Sequence, residues 1–437
     1  MPTSSPPNLL FIVADQLGAR WTALDGHPLL QTPQLSALAR ESTVFTQACS
    51  TSPLCTPWRA CMLTGRWPTQ TGVTRNGQAL PDDVPTLAQR LNDAGYHTAW
   101  LGKWHLGGAP QRERAVLPEE RGGFRRFAGW ESHHVDHWRG RLWTDEADEA
   151  QSLEGHETDS LSDIAQDWLP QLPQPFCLFV SYQAPHPPCL PPPDHLARYA
   201  GRDLMIEPNV DPSAWYRMPQ WDADYDLQTF RERYYGEITQ LDAALGRLLA
   251  TLKGCGLADR TALFFTSDHG EMNGAQGLFS KGVMYDESLR VPLLVRLPGQ
   301  KQGRRCATPV GTVDFLPTLL ELAGAEADPD APGRSLLPAL RGGQLEEGPL
   351  FSECGELLCV LLDGWKLVAQ RDPLQALQLF DTRGDPWELD DSLAREPGRA
   401  REMLALLDKW LEGVDRPSPQ TLSHLGGWEP FPQGEGL

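Results

Sequence analysis

The chain has 437 residues, 40% apolar and 22% charged, with a formal net charge of −20. That is too long for one ordinary core and normal in composition for a soluble globular protein, so one large domain with a smaller companion is expected. The acidic field repels nucleic acid and anionic membrane and excludes both as partners, and an anionic substrate would need positive charge concentrated where it binds.

In chain order, Met1 to Pro7 carry no basic region and no cleavage site, and the apolar run Leu9 to Ala14 is too short for a signal peptide or a membrane span. A cytoplasmic protein is therefore expected. The nine cysteines form no CxxC pair, which agrees with a reducing compartment. Cys49, Cys55 and Cys61 are evenly spaced but lack the His or Cys neighbours of a zinc site.

Four continuous apolar runs read as fully buried strands: Asn8 to Ala14, His97 to Leu101, Pro175 to Gln183 and Thr261 to Thr266. Helical patterns lie between them at Thr86 to Ala94, Ser160 to Leu169 and Phe230 to Lys253. The alternation predicts an α/β fold, a mostly parallel sheet covered by helices on both faces. In such sheets ligands bind beyond the carboxyl ends of the strands. Asp15, Lys103, His186, Asp268 and His269 all follow a strand directly. One polar residue after a strand is ordinary loop chemistry; two acids, two histidines and a lysine together mark a site.

The stretch Gly129 to Trp143 holds Trp130, His133, His134, His137, Trp138 and Trp143, and with Trp215, Tyr216 and Trp221 it could wall a pocket or simply pack a long insertion. Nothing there requires a second metal site. Asp145 to Glu149 reads as a solvated acidic stretch, and Pro185 to Pro193 as a rigid rim loop. Asp330 to Gly348, rich in Gly, Pro and Glu, reads as a linker. It divides a larger domain, 1–345, from a C-terminal α+β subdomain, 346–437. In the latter, Cys359 to Leu362, Trp365 to Ala369 and Gln378 to Phe380 look like an antiparallel sheet, and Ala394 to Leu411 like a closing amphipathic helix.

The sharpest segment is Cys55-Thr56-Pro57-Trp58-Arg59, followed by Leu63-Thr64-Gly65-Arg66. It resembles the hallmark of the formylglycine-dependent sulfatases, of alkaline-phosphatase-like fold, with Trp58 where Ser is usual. Gly95 to Gly107, Thr266 to Glu271 with Lys281 and Tyr285 to Val295, the opening Asn8 to Gln16, and the pair Gln378 to Asp381 and Asp385 to Leu389 resemble further elements of that family, in the same order.

The resemblance implies hydrolysis of a small-molecule sulfate monoester. Cys55 becomes formylglycine, made by a formylglycine-generating enzyme, and hydrates to a gem-diol. One hydroxyl attacks sulfur and the other later expels sulfate, a release that a plain thiol lacks. The ion, hard-liganded and so Ca2+ first, with Mn2+, Mg2+ or Zn2+ as alternatives, would be held by Asp15, Gln16, the modified Cys55, Asp268 and His269. Gln16 and His269 resemble the branch of phosphonate monoester hydrolases and choline-sulfatase-like enzymes. Arg59 would orient the formylglycine and its carboxylates. Lys103 and Lys281 would meet the sulfate oxygens. His105 is the candidate base in sulfate release and His186 the candidate acid or donor at the leaving group. Asn76 would reach substrate or nucleophile, or serve a turn. A homo-oligomer is compatible with this branch. Two rival readings are a phosphonate monoester or phosphodiester hydrolase on the same scaffold, and a non-catalytic member that keeps only the metal.

Overall fold

In the computed structural model, residues 6–108, 114–131, 134–145, 147–218 and 223–414 are described. A ten-stranded sheet runs in the order Arg304–Cys306, Thr43–Phe45, Leu293–Arg296, Thr261–Ser267, Asn8–Ala14, Phe176–Ser181, His97–Lys103, Arg126–Trp130, Arg141–Thr144, Ala147–Ser152. The five central strands from Thr261–Ser267 to Arg126–Trp130 are mutually parallel. On either side of them the next pairings are antiparallel, Thr261–Ser267 with Leu293–Arg296 and Arg126–Trp130 with Arg141–Thr144. All four expected strands are present. The short flanking strands escaped the sequence reading because they have three to six residues and little apolar content.

Alternation sorts the central strand between two layers. Leu10, Ile12 and Ala14 share a core with Phe230, Ile238, Leu241, Leu245 and Leu248 of the long helix Leu227–Gly254. Their gaps of eight, three, four and three residues put them on one helical stripe. Asp226 caps that helix by accepting a hydrogen bond from the Thr229 amide at 2.6 Å. Leu9, Phe11 and Val13 face the opposite layer with Trp100, Phe179, Phe264 and Leu316. Both faces are covered, which is why the strand reads as an unbroken apolar run.

The C-terminal sheet is four-stranded and antiparallel: Leu350–Cys354, Leu357–Leu362, Trp365–Gln370 and Gln375–Asp381. Its Leu358, Val360, Leu367 and Leu379 pack under the helix Pro397–Val414 through Ala400, Met403 and Leu407. Its other face, Cys359, Leu361, Val368 and Phe380, lies on Cys49, Met284 and Leu289 of the main body. The expected linker is not a free connector. Leu336, Leu337, Leu340 and Leu345 are buried in the main core, and Leu337–Leu340 forms a short helix. The Gly and Pro content concealed four apolar anchors.

Among the described residues no helix is long and apolar enough to cross a membrane. The acidic stretch is not simply solvated, since Asp145 pairs with Arg121 and accepts the Phe127 amide beside the Arg141–Thr144 strand.

Candidate active site

Parallel register delivers the site. Ala14 pairs with Ser267, Val13 with Ser181 and Gly102 with Ser181, so four neighbouring strands end at nearly one level. Asp15 and Asp268 follow two of those ends, Ser181 closes a third and Lys103 the fourth, all fully buried. Gly102 has φ +102°, and a Cβ there would lie 2.1 Å from the Ser181 carbonyl oxygen. Only glycine brings Lys103 into place at that crossing.

Cys55 opens the helix Cys55–Thr64, all ten of whose residues are buried. Gly65 stops it at φ +65°. The helix lays Arg59 one turn behind Cys55, directly under the two aspartates. Arg59 Nη2 is 3.4 Å from Asp15 Oδ2 and 3.8 Å from Asp268 Oδ2. Its Nη1 donates at 2.8 Å to the Lys103 carbonyl and at 2.8 Å to Ser181 Oγ. Trp58 is wholly buried, edge-on to Phe315. The departure from the family hallmark therefore lies in the core.

Donor atoms of Asp15, Cys55, Asp268 and His269 lie within 4.8 Å of one another. His269 Nδ1 is 3.0 Å from the Gly270 carbonyl, which can only accept, so Nδ1 carries the hydrogen and Nε2 presents a lone pair. That lone pair stands 3.1 Å from Cys55 Sγ, 3.5 Å from Asp268 Oδ1 and 3.8 Å from Asp15 Oδ1. Asp268 Oδ2 is buried without a hydrogen bond. Two carboxylates, one of them undersatisfied, beside a bare imidazole nitrogen fit a divalent cation.

The electrostatics agree. Burial opposes ionisation of Asp15, but the charges of Lys103 and Arg59 overcome it and hold its pKa well below the usual range. Lys103 Nζ is its direct partner. Burial, and then Asp15, push the Cys55 thiol up to about 11, so an unmodified cysteine is un-ionised at neutral pH in the metal-free protein.

Beyond Cys55 the site is built from loops. Lys281 Nζ donates to Gln16 Oε1 and meets His186 Nε2 at 3.0 Å. His186 Nδ1 lies 2.6 Å from the Pro187 carbonyl and must donate to it, which leaves Nε2 as the acceptor from lysine. Burial, then Lys281, lower its pKa well below the ordinary value. In this state the donor at that end is Lys281, and the imidazole serves it. The Pro-rich loop carrying His186 is packed rather than projecting: Gln183 N donates to Glu157 Oε1 at 3.1 Å and Leu190 N to Glu237 Oε1 at 2.7 Å. His105 is buried with φ +60°, and its carbonyl accepts Thr56 Oγ1 at 3.1 Å. Asn76 Oδ1 accepts the Thr56 amide at 3.0 Å, so it caps the first turn behind Cys55.

The aromatic stretch divides. Trp130 is core, Trp138 and Trp215 are 41% and 57% exposed, and His134 stacks on His186 at 6.1 Å. His133, Trp221 and the side chain of Tyr216 lie outside the described residues. His137, His156 and Glu157 form a second buried group. There the Thr158 amide already occupies His156 Nδ1 at 3.2 Å, and the rings of His137 and His156 stack at 5.0 Å. Sequence reasoning passed over Ser181 and Glu271 as bonding partners, because a strand-end serine and a motif glutamate carry no distance information.

The chain as a whole is similar to known proteins. The sulfatase family profile matches residues 7–325, and the profile for the N-sulphoglucosamine sulphohydrolase C-terminal region matches 274–415. The choline-sulfatase of Rhizobium meliloti (strain 1021) is 32% identical over 90% of this chain and 84% of its own. An ulvan-active sulfatase of Formosa agariphila is 34% identical over 76% of the chain, which spans 64% of that protein's length. The crystal structure of yidJ from Bacteroides fragilis superposes with a TM-score of 0.85 at 25% identity, covering 96% of this chain and 98% of that one.

Proposed function

The chain belongs to the sulfatase family and is a sulfuric ester hydrolase, and from that premise we propose that its reaction centre is a formylglycine made from Cys55 beside a divalent ion held by Asp15, Gln16, Asp268, His269 and the modified residue. The observation that carries this is the placement of Cys55 Sγ, 3.1 Å from the His269 lone pair and 3.7 Å from Asp15 Oδ1. The sulfur stands where an oxygen of the aldehyde hydrate would be. A formylglycine-generating enzyme supplies the modification. Three oxygen-bearing side chains favour calcium, and the imidazole widens the choice to manganese, magnesium or zinc.

When bound, the ion and the hydrate supply positive charge and an attacking hydroxyl at position 55. The chain's own residues do the rest. Arg59 balances the two aspartates from beneath and holds the strand-end carbonyl of Lys103, so the ligands keep their places before substrate arrives. Lys103 and Lys281 provide compact positive charge for the sulfate oxygens, the local concentration that an otherwise acidic protein requires. Lys281 holds protons at the leaving-group end, with His186 accepting one of its hydrogen bonds. His105 is the base for sulfate release, and its backbone is tied to Thr56 beside position 55. Asn76 holds the start of the Cys55 helix.

Turnover of an aryl sulfate by the purified protein, beside Cys55→Ala and an aryl phosphonate monoester, tests the reading. We expect sulfate to be the faster substrate and the variant to be inactive on both. Faster phosphonate hydrolysis would move the chain to the rival chemistry on the same scaffold. An active Cys55→Ala protein would remove the nucleophile.

A further inference from the structure

Gln16 is held at both ends of its carboxamide. Its backbone is already fixed: φ is +67°, its amide donates to Asp268 Oδ1 at 2.9 Å, and its carbonyl accepts the Tyr234 hydroxyl at 2.6 Å. From that root the side chain runs between Glu271 and Lys281. Nε2 donates to Glu271 Oε2, and Oε1 accepts Lys281 Nζ. An ammonium group can only donate and a carboxylate only accept, so one orientation of the amide satisfies both neighbours and the flipped one satisfies neither. Glu271 is fully buried, and its other oxygen accepts the amides of Asn273 at 2.9 Å and Ser280 at 2.6 Å. Ser280 immediately precedes Lys281. One carboxylate therefore fixes both the direction of the Gln16 oxygen and the chain next to the lysine.

We propose that Glu271 is a positioning residue that locks the Gln16 carboxamide with its oxygen toward Lys281 and the ion, and that it requires a neutral side chain at position 16. The inference rests on the reading of Gln16 as an ion ligand given above. A carboxylate at 16 would meet that of Glu271 within a buried site, where like charges in contact repel strongly and no water screens them. Glutamate is the harder and more highly charged calcium ligand, so charge alone predicts that Gln16→Glu binds the ion better. The Glu271 contact predicts the reverse.

Calcium affinity is measured by titration calorimetry on the purified full chain, with aryl sulfate turnover followed separately. Gln16→Glu is expected to weaken binding roughly 10- to 100-fold, the usual cost of disturbing a group that orients a ligand, and to bind less well than Gln16→Met. Glu271→Gln alone weakens it less. Joined to Gln16→Glu it restores most of the loss, because the exchanged pair again matches donor to acceptor. Losses that add in the double variant, with wild-type binding intact, would overturn the positioning role and leave the ion site standing. A wild-type protein that binds no calcium, manganese, magnesium or zinc would overturn both. Should Glu271→Gln fail to fold, the order of Gln16→Glu and Gln16→Met decides: tighter binding by the glutamate variant refutes the proposal.

Discussion

Asp15, Lys103 and Asp268 leave neighbouring parallel strands and are fixed by the ladder itself, whereas His186 and Lys281 stand on loops that borrow their order from elsewhere. The first half needs only the sheet register, the helix Cys55–Thr64 and Arg59. The second half depends on distant partners. The Lys281 loop is gripped by the C-terminal segment: Gln276 Nε2 donates at 3.2 Å to the carbonyls of Trp387 and Glu388, and the Asp286 amide reaches Glu388 Oε2 at 2.9 Å. Arg20 stacks on Trp387 at 4.3 Å and pairs with Asp286 at 3.0 Å. Asp15, Lys103 and Asp268 thus sit on strand ends, and His186 and Lys281 on clamped loops.

The sharpest contrast comes from the first half. Cys55→Ala should lower turnover by on the order of 10^4-fold or more, with the fold intact, since a nucleophile is removed outright. Steady-state rates and a far-UV spectrum check this together. Next comes Arg59→Met, which leaves Asp15 with Lys103 alone and Asp268 without its buried guanidinium, and should cost about 3–5 kcal/mol in urea unfolding of the metal-free protein. Added calcium should recover part of that loss, because the ion replaces the missing positive charge.

Changes in the second half should be milder. Gln276→Ala removes two hydrogen bonds worth about 1 kcal/mol each, so kcat/KM should fall roughly fivefold and the unfolding midpoint should drop by about a few degrees. In a Lys281→Ala background the same change should do little, because the loop would have lost the group it positions. Full additivity would contradict the clamp.

The last effect concerns pH. His156, under the Pro-rich loop, is held neutral by burial and then by His137, which lower its pKa from 6.5 to about 3. The unfolded chain binds the proton first, so the stability this group contributes is complete above pH 6.5 and is lost as pH falls toward 3. His156→Asn, which keeps a capping side chain for the helix Glu157–Trp168, should flatten the acid limb of a stability–pH curve by up to roughly 1.4 kcal/mol per pH unit.

The same division decided what the sequence could show. Asp15, Lys103, Asp268 and His269 were readable because an apolar run ending in a polar residue marks a buried strand and its exit. Cys55 and Arg59 were readable because the segment Cys55-Thr56-Pro57-Trp58-Arg59 resembles the sulfatase hallmark; the helix that carries them was not. The antiparallel flanks, the strand Leu350–Cys354 and the packed segment after Asp330 were not, since short or Gly- and Pro-rich stretches carry no clear period. Nor could sequence show that Glu271 grips Gln16 across 255 positions or that Trp387 and Glu388 hold Gln276, because those bonds depend on tertiary proximity.

The most direct test is mass spectrometry of the tryptic peptide ending at Arg59, taken from protein that hydrolyses an aryl sulfate. An aldehyde at position 55, trapped by a hydrazide or reduced by borohydride, is the expected result. A peptide carrying only an intact thiol, from protein in full turnover, would contradict the account.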